Sequence, residues 1–428
     1  MFSRQQIIAG IAVLFIFVVL QPRQSQGETT LTLWFHSGRA EEREAIAAVI
    51  DDFNNQDNGI TVEVIRLPEG SYNEQVQAAA LAGDLPDILD FDGPNVYNYA
   101  WSGYLIPLDD YLSEEIKNDL LPSIIAQASY NGKFYNLGSF DSGLALWGNK
   151  TYLEKAGVRI PSGVKDNWDR GEFLSALAKL KALPEIDYPI DFKMNYGIGE
   201  WFTYGFSPIV QSYGGDLIDR SDFQSADGIL NGPEAVQAMT FFQSLFQEGY
   251  AKSSQAGDDD FYGKKRAALS YVGHWAWQTY RDALGDELIL LPMPRFGKRT
   301  TTGMGSWTWG ISSNTKHPEA AWSVVSHLLS PESILTITNG NGAVPSRKSA
   351  IERSESYAPG GPLRLFADQL ENGFGVPRPQ TPAYPIITAA FAEAVQNIIS
   401  GADVQAELDK AVKTIDQDIE DNRGYPTQ

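Results

Sequence analysis

The sequence predicts an α/β protein built on parallel strands, and three observations carry that prediction. Apolar residues near the start of the chain switch between a two-residue and a helical spacing, in the order strand, helix, strand, helix, strand. The connections between these segments are short, which implies right-handed crossovers and a parallel sheet. The chain has 428 residues, 43% of them apolar and 20% charged. That is a globular composition, long enough for two domains or one large α/β unit.

Taken in order, Thr29 to Phe35 sets Leu31, Leu33 and Phe35 against Thr30, Thr32 and Trp34, the alternation of a strand. Ile46, Val49, Ile50 and Phe53 then recur at helical spacing and stop at Asn58-Gly59. Ile60 to Ile65 alternates again, Ser71 to Leu81 reads as a helix closed by Ala82-Gly83-Asp84, and Asp87 to Phe91 is a third strand. In open parallel sheets ligands bind beyond the carboxyl ends of the strands. Here those ends are His36-Ser37-Gly38 and Asp92-Gly93-Pro94-Asn95, both small and polar.

Beyond them a helix is expected from Asp109, a hairpin turn at Asn131-Gly132, a strand from Phe140 to Asn149 and a helix from Glu172 to Leu183. The stretch Tyr196 to Tyr213 carries Trp201, Phe202, Tyr204 and Phe206 and closes on Gly214-Gly215. Pro233, Pro318 and Pro331 suit the first turns of helices. Lys265 to Ser270 reads as a short strand ending at Gly273, followed by His274-Trp275-Ala276-Trp277. Two indoles two residues apart make a poor buried strand. Flat aromatic faces stack on sugar rings, on cations or on other aromatics, and a glycine beside them lets a group approach closely.

Charge and composition exclude several classes. A net charge of -21 argues against nucleic acid and against an acidic ligand drawn by long-range attraction. With no cysteine, disulfides, thiolate catalysis, cysteine metal sites and a lipid-anchoring cysteine are all excluded. The four histidines (His36, His274, His317, His327) lack metal-ligand spacing, so no metal or cofactor is expected. Asp258-Asp259-Asp260 lacks the interleaved spacing of a calcium loop and reads as solvated. Arg4, the uncharged run Ile7 to Leu20 and the small residues Ser25 and Gly27 form a secretory signal with a cut before Glu28. An uncleaved anchor is the alternative, and without a lipid anchor the expected compartment is a periplasm.

Several segments in this order resemble extracellular solute-binding proteins of family 1, the sugar-capturing components of ABC importers of the maltose- and trehalose-binding kind. They are Leu31-Thr32-Leu33-Trp34-Phe35-His36, Gly83-Asp84-Leu85-Pro86-Asp87-Ile88, Ser102-Gly103-Tyr104-Leu105-Ile106-Pro107-Leu108, Gly273-His274-Trp275-Ala276-Trp277, Leu291-Pro292-Met293-Pro294, Trp309-Gly310-Ile311-Ser312, Lys316-His317-Pro318-Glu319-Ala320-Ala321-Trp322 and Val344-Pro345-Ser346-Arg347. Two departures lie at Trp147-Gly148-Asn149-Lys150 and Lys165-Asp166-Asn167-Trp168. The resemblance implies a two-lobe periplasmic-binding-protein fold of type II, each lobe a mainly parallel sheet flanked by helices, joined by a hinge. Lobe one would comprise residues 28–139 plus 309–343, and lobe two residues 140–308 plus 344–428.

The resemblance also implies where a sugar would sit. Trp275 matches the family's stacking tryptophan, with Trp277 as a second plate; the alternative for both is core packing. Gly305-Ser306-Trp307 matches a loop whose backbone and indole touch the sugar, against hinge packing. Asp92 resembles a hydroxyl-binding aspartate with Asn95 beside it, against a loop or cap role. Asp141 lies near an acidic ligand residue, with Ser139 and Ser142 as alternatives. Glu42 opens the first helix, where the helix dipole alone would favour it. Arg347 matches an arginine that pairs with sugar oxygens, against a surface charge, and Tyr204 is a further aromatic candidate. The expected function is non-enzymatic capture of an α-glucoside or disaccharide (trehalose, sucrose, maltose or glucosylglycerol) by a monomer. Delivery would be to the transmembrane subunits of an ABC permease. The competing readings are an exported glycoside hydrolase, with two carboxylates flanking a glycosidic bond, and a binder of a cation such as a polyamine.

Overall fold

The computed structural model describes residues 29–427; the expected signal segment lies outside them. Leu31, Leu33 and Phe35 are buried on strand β1 (Thr29–His36), as the alternation requires. Helix α1 (Ala40–Asn54) buries Ile46, Val49, Ile50 and Phe53. Strand β2 (Ile60–Leu67), helix α2 (Tyr72–Ala82) and strand β3 (Ile88–Asp92) follow. β1 pairs in parallel with both β2 and β3. The turn at Asn131-Gly132 does join two short antiparallel strands. The expected helix from Asp109 begins later, at Glu114.

The chain then crosses into a second sheet. The expected strand over Phe140 to Asn149 is two: Phe140–Asp141, which pairs with Val344–Pro345, and β4 (Leu144–Asn149). Beyond lie β5 (Ile190–Asp191), helix α3 (Glu200–Tyr213), β6 (Leu269–Gly273) and β7 (Leu288–Leu291). The order across this sheet is β7, β4, β6, β5. The chain returns to the first sheet as β8 (Trp307–Ile311), antiparallel to β3, before helix α4 (Pro331–Asn341).

In each sheet three strands run one way and one runs against them. The reversed strand is β8 in the first sheet and β4 in the second, where β4 lies antiparallel to both β6 and β7. Both are strands that carry the chain across from the other lobe, so they enter from the opposite end. Because β4 is internal, two of the three pairings in the second sheet are antiparallel although its strands are mainly co-directional.

The two lobes have separate cores. One packs Leu33, Phe35, Ile46, Ile50, Trp309 and Val325. The other surrounds α3, which is buried at every position from Trp201 to Tyr213. Gly205 and Pro208, both poor helix formers, disguise this helix in the sequence. Among the described residues no helix is long and apolar enough to cross a membrane.

Candidate functional site

The carboxyl ends of β1, β2 and β3 meet the second lobe, and most of the expected residues gather there. His36 ends β1, with its Nδ1 2.5 Å from Asp90 and its Nε2 3.3 Å from Glu42, in the first turn of α1. Burial alone would push this imidazole down, but the two carboxylates outweigh it and hold its pKa up at about 10. Burial tends to raise Glu42, yet its bonds to His36 and Asn341 bring it below the usual carboxylate range. Trp307, the first residue of β8, lies face to face on His36 with ring centroids 3.6 Å apart and planes at 12°. Tyr72 meets the indole edge-on at 5.5 Å.

Trp275 forms the facing wall. Its ring packs over Gly273, where a Cβ would collide with it, so the glycine is required for close approach rather than for a turn. Its Nε1 donates to Tyr196 Oη at 3.2 Å, and Trp201 and Tyr204 flank it at 6.1 and 6.0 Å. The ring is half-buried, leaving part of its surface open. Trp277 turns the other way, stacking on Trp147 at 5.9 Å with Arg281 over its ring. The two indoles diverge because Trp275 sits in a 3-10 turn (His274–Ala276) and Trp277 opens the helix that follows it (Trp277–Leu284).

Between floor and wall lies an arginine that sequence patterning does not single out. Arg378 donates from Nη1 and Nη2 to both carboxylate oxygens of Asp92, at 2.5 and 2.7 Å, and from Nη1 to Glu200 at 2.5 Å. Its guanidinium lies 5.0 Å over the Tyr204 ring. Glu200 also accepts from Tyr384 and Thr388. Asp92 and Glu200 belong to different lobes, so this group bridges them. A weak signal was present: Arg378 precedes Pro379, which biases it towards extended backbone. Arg347 is engaged elsewhere, donating to Asp119 at 2.6 Å and to the Leu329 carbonyl at 3.1 Å. No hydrogen bond, ion pair or ring contact among the described residues joins it to the gathered set.

A second bridge runs from Arg39, before α1, to Tyr196 Oη at 2.8 Å and Asp258 at 3.3 Å. Asp258 also pairs with the buried Lys193 at 3.2 Å, which corrects its reading as a solvated loop residue. Asp260 is likewise buried and accepts from Tyr188.

Asp141 is fully buried, and its Oδ1 accepts from the backbone of Ser142 and Gly305 at 2.7 and 2.9 Å. It ties two lobe-crossing segments together. Gly305 takes φ of +92°, and a side chain there would strike Gln127. The Ser306 carbonyl accepts from Gly93, and Asn95 donates to the Asp92 carbonyl at 3.2 Å. Glu69, two residues beyond β2, has a carboxylate without hydrogen-bond or ion-pair partner among the described residues. The residue is exposed at its surface, and partial desolvation, with crowding by Glu42, Asp92 and Asp90 added to it, raises its pKa against the pull of His36.

A one-way chain of hydrogen bonds connects floor to wall. Tyr204 Oη donates to Ser142 Oγ, whose hydroxyl can donate to His274 Nε2; His274 Nδ1 donates to the Asn341 carbonyl. The Asn341 amide donates to Glu42, where the one-way run ends on a carboxylate that also accepts from His36 on its other side. This polarity requires a neutral His274, and burial does push its pKa down to about 4.

The two histidines therefore bias stability in opposite directions. The His36 contribution is full below its unfolded pKa near 6.5 and is lost as pH rises through about 10. The His274 contribution is full above 6.5 and is lost as pH falls through about 4. Urea unfolding across pH should show His36→Asn flattening the alkaline limb and His274→Asn the acid limb. An alkaline limb unchanged by His36→Asn would mean the two carboxylates do not hold the proton.

Comparison with known proteins bears on the family and the fold. The family model for bacterial extracellular solute-binding proteins matches residues 39–334. A putative binding protein of Brucella abortus is 22% identical over 410 residues, covering 92% of this chain and 93% of the relative. The maltodextrin-binding protein MdxE of Bacillus subtilis is 23% identical over 347 residues, covering 78% and 77%. Among solved structures, the maltose/maltodextrin-binding domain MalE of Bdellovibrio bacteriovorus, bound to maltotriose, superposes with a TM-score of 0.76 at 22% identity. It covers 92% of this chain and 100% of that one.

Proposed function

The chain belongs to the bacterial extracellular solute-binding protein family, and from that premise we propose that it captures a neutral sugar between its lobes and delivers it to an ABC permease. The carrying observation is a pair of half-buried indoles on opposite lobes, Trp307 and Trp275, set beside the hydrogen-bonding belt of Asp92, Arg378 and Glu200. A sugar offers apolar C–H faces and a rim of hydroxyls, and this arrangement matches both. Relatives named for maltodextrin support an α-glucoside such as maltose, trehalose, sucrose or glucosylglycerol.

The ligand set we infer is Trp275, Trp307, Asp92, Arg378, Glu42, Tyr204 and Glu69, with Gly305, Ser306 and Asn95 shaping the loops. We place the lobe divisions near residues 139, 306 and 343, because Trp307 already pairs in the first sheet ahead of the return expected at 309, and closure is a hinge motion. A hydrolase is disfavoured because the family and the relatives are solute-binding proteins. The protein acts as an exported monomer.

Titrating residues 28–428 with a disaccharide panel, glucosylglycerol and spermidine tests this, read by tryptophan fluorescence and calorimetry. One or a few α-glucosides should saturate the signal without turnover. Sustained release of glucose would establish a hydrolase, and a response to spermidine alone would establish a cation binder.

A further inference from the structure

We propose that His36, which the ligand does not reach, is a positioning residue for binding: it fixes the plane of Trp307, the lobe-one plate. The inference rests on the sugar-binding reading above.

The geometry constrains His36 from every side. Its ring is 2% exposed, and Asp90 and Glu42 take its two nitrogens. Its backbone N–H also donates to Asp90, at 3.3 Å. Asp90 is 1% exposed, and Glu42 is anchored in turn by the Asn341 amide at 3.0 Å. A flat ring clamped along both edges is a rigid platform.

Trp307 rests on that platform nearly parallel to it, at 12°, and Tyr72 closes one indole edge. Tyr72 is itself held by donating to the Trp34 carbonyl at 3.3 Å. One face and one edge of the indole are thus occupied by protein, so a sugar can use only the opposite face. Stacking is sensitive to plane and offset, and an indole free to rock would lose entropy each time it bound. Few side chains can replace histidine here. Phenylalanine keeps the flat ring but strands two buried carboxylates, and glutamine keeps a donor but presents no ring to stack on.

The experiment pairs a ligand-free readout with a binding readout. Protein carrying 5-fluorotryptophan, with the Trp307 resonance assigned by its loss in Trp307→Phe, should show one narrow ¹⁹F line for Trp307. In His36→Gln that line should broaden or split, and in Asp90→Asn, which loosens the clamp from its buried side, it should shift. Maltose affinity is then measured by calorimetry in a double-mutant cycle. His36→Gln should weaken binding about tenfold in the wild-type background and less than about twofold in Trp307→Ala, because its effect passes through the indole. An unchanged Trp307 line in both His36→Gln and Asp90→Asn overturns the proposal. So does an equal loss of affinity in both backgrounds. If the wild type binds neither maltose nor any other sugar of the panel, the sugar-binding reading fails, while the ¹⁹F line still decides whether His36 fixes the plate.

Discussion

Arg378→Ala should lower the unfolding free energy by about 3 kcal/mol, the low end of what losing one partner of a buried ion pair costs. The guanidinium is only 5% exposed and serves Asp92, 13% exposed, with two donors. Removing it leaves that carboxylate desolvated and unpaired, and leaves Glu200 without its cation. Burial already pushes Glu200 upward, and the arginine is the main group opposing this. The loss should therefore be larger above neutral pH than in acid, where the raised Glu200 takes up a proton. Urea denaturation in both pH ranges measures it. Asp92→Asn in the Arg378→Ala background should recover part of the loss, since a neutral amide needs no counter-ion. A loss under about 0.5 kcal/mol would place the pair among surface ion pairs of little energetic consequence.

Trp275→Ala should weaken sugar binding by about 2 kcal/mol, or roughly 30-fold, from the apolar surface an indole buries against a ligand. The protein should stay folded, because the ring packs over Gly273 and beside the lobe-two core rather than within it. The substitution also frees Tyr196 Oη from one of its two donors but leaves the Arg39 bond intact. Calorimetry with a saturating α-glucoside, alongside thermal unfolding, separates the two effects. Unchanged affinity would make Trp275 a packing residue of the wall. Trp277→Ala is the informative contrast: its ring stacks on the buried Trp147, so its loss should fall on stability.

Much of lobe one was legible in the sequence. β1, β2, α2 and β3 appear within one or two residues of the segments that periodicity marked, and α1 ends at Asn54, four residues before the expected stop at Asn58-Gly59. The hairpin at Asn131-Gly132 and the helices opened by Pro233, Pro318 and Pro331 were legible for the same reason. Periodicity and turn chemistry are local: a half-buried element records in its own residues which face meets the core. Helix α3 shows the limit: Gly205 and Pro208 within it read locally as helix breakers, and its burial on all sides is a tertiary outcome.

The candidate site divides along the same line. That aromatics and carboxylates would gather at the strand ends follows from a parallel sheet, and His36, Glu42, Asp92 and Trp307 do meet there. Which arginine joins them does not follow. Arg347 and Arg378 look alike in sequence, yet one pairs with an aspartate 228 residues away and the other with one 286 residues away. The divergence of Trp275 and Trp277, the engagement of Asp258 with Arg39 and Lys193, and the opposite charge states of His36 and His274 have the same origin. By itself the sequence determined the α/β elements, the family and the kind of chemistry concentrated at the strand ends. Only the tertiary structure decided which charges pair, which rings face open space and which histidine keeps its proton. Those outcomes depend on burial and on partners hundreds of residues apart, and no local pattern encodes either.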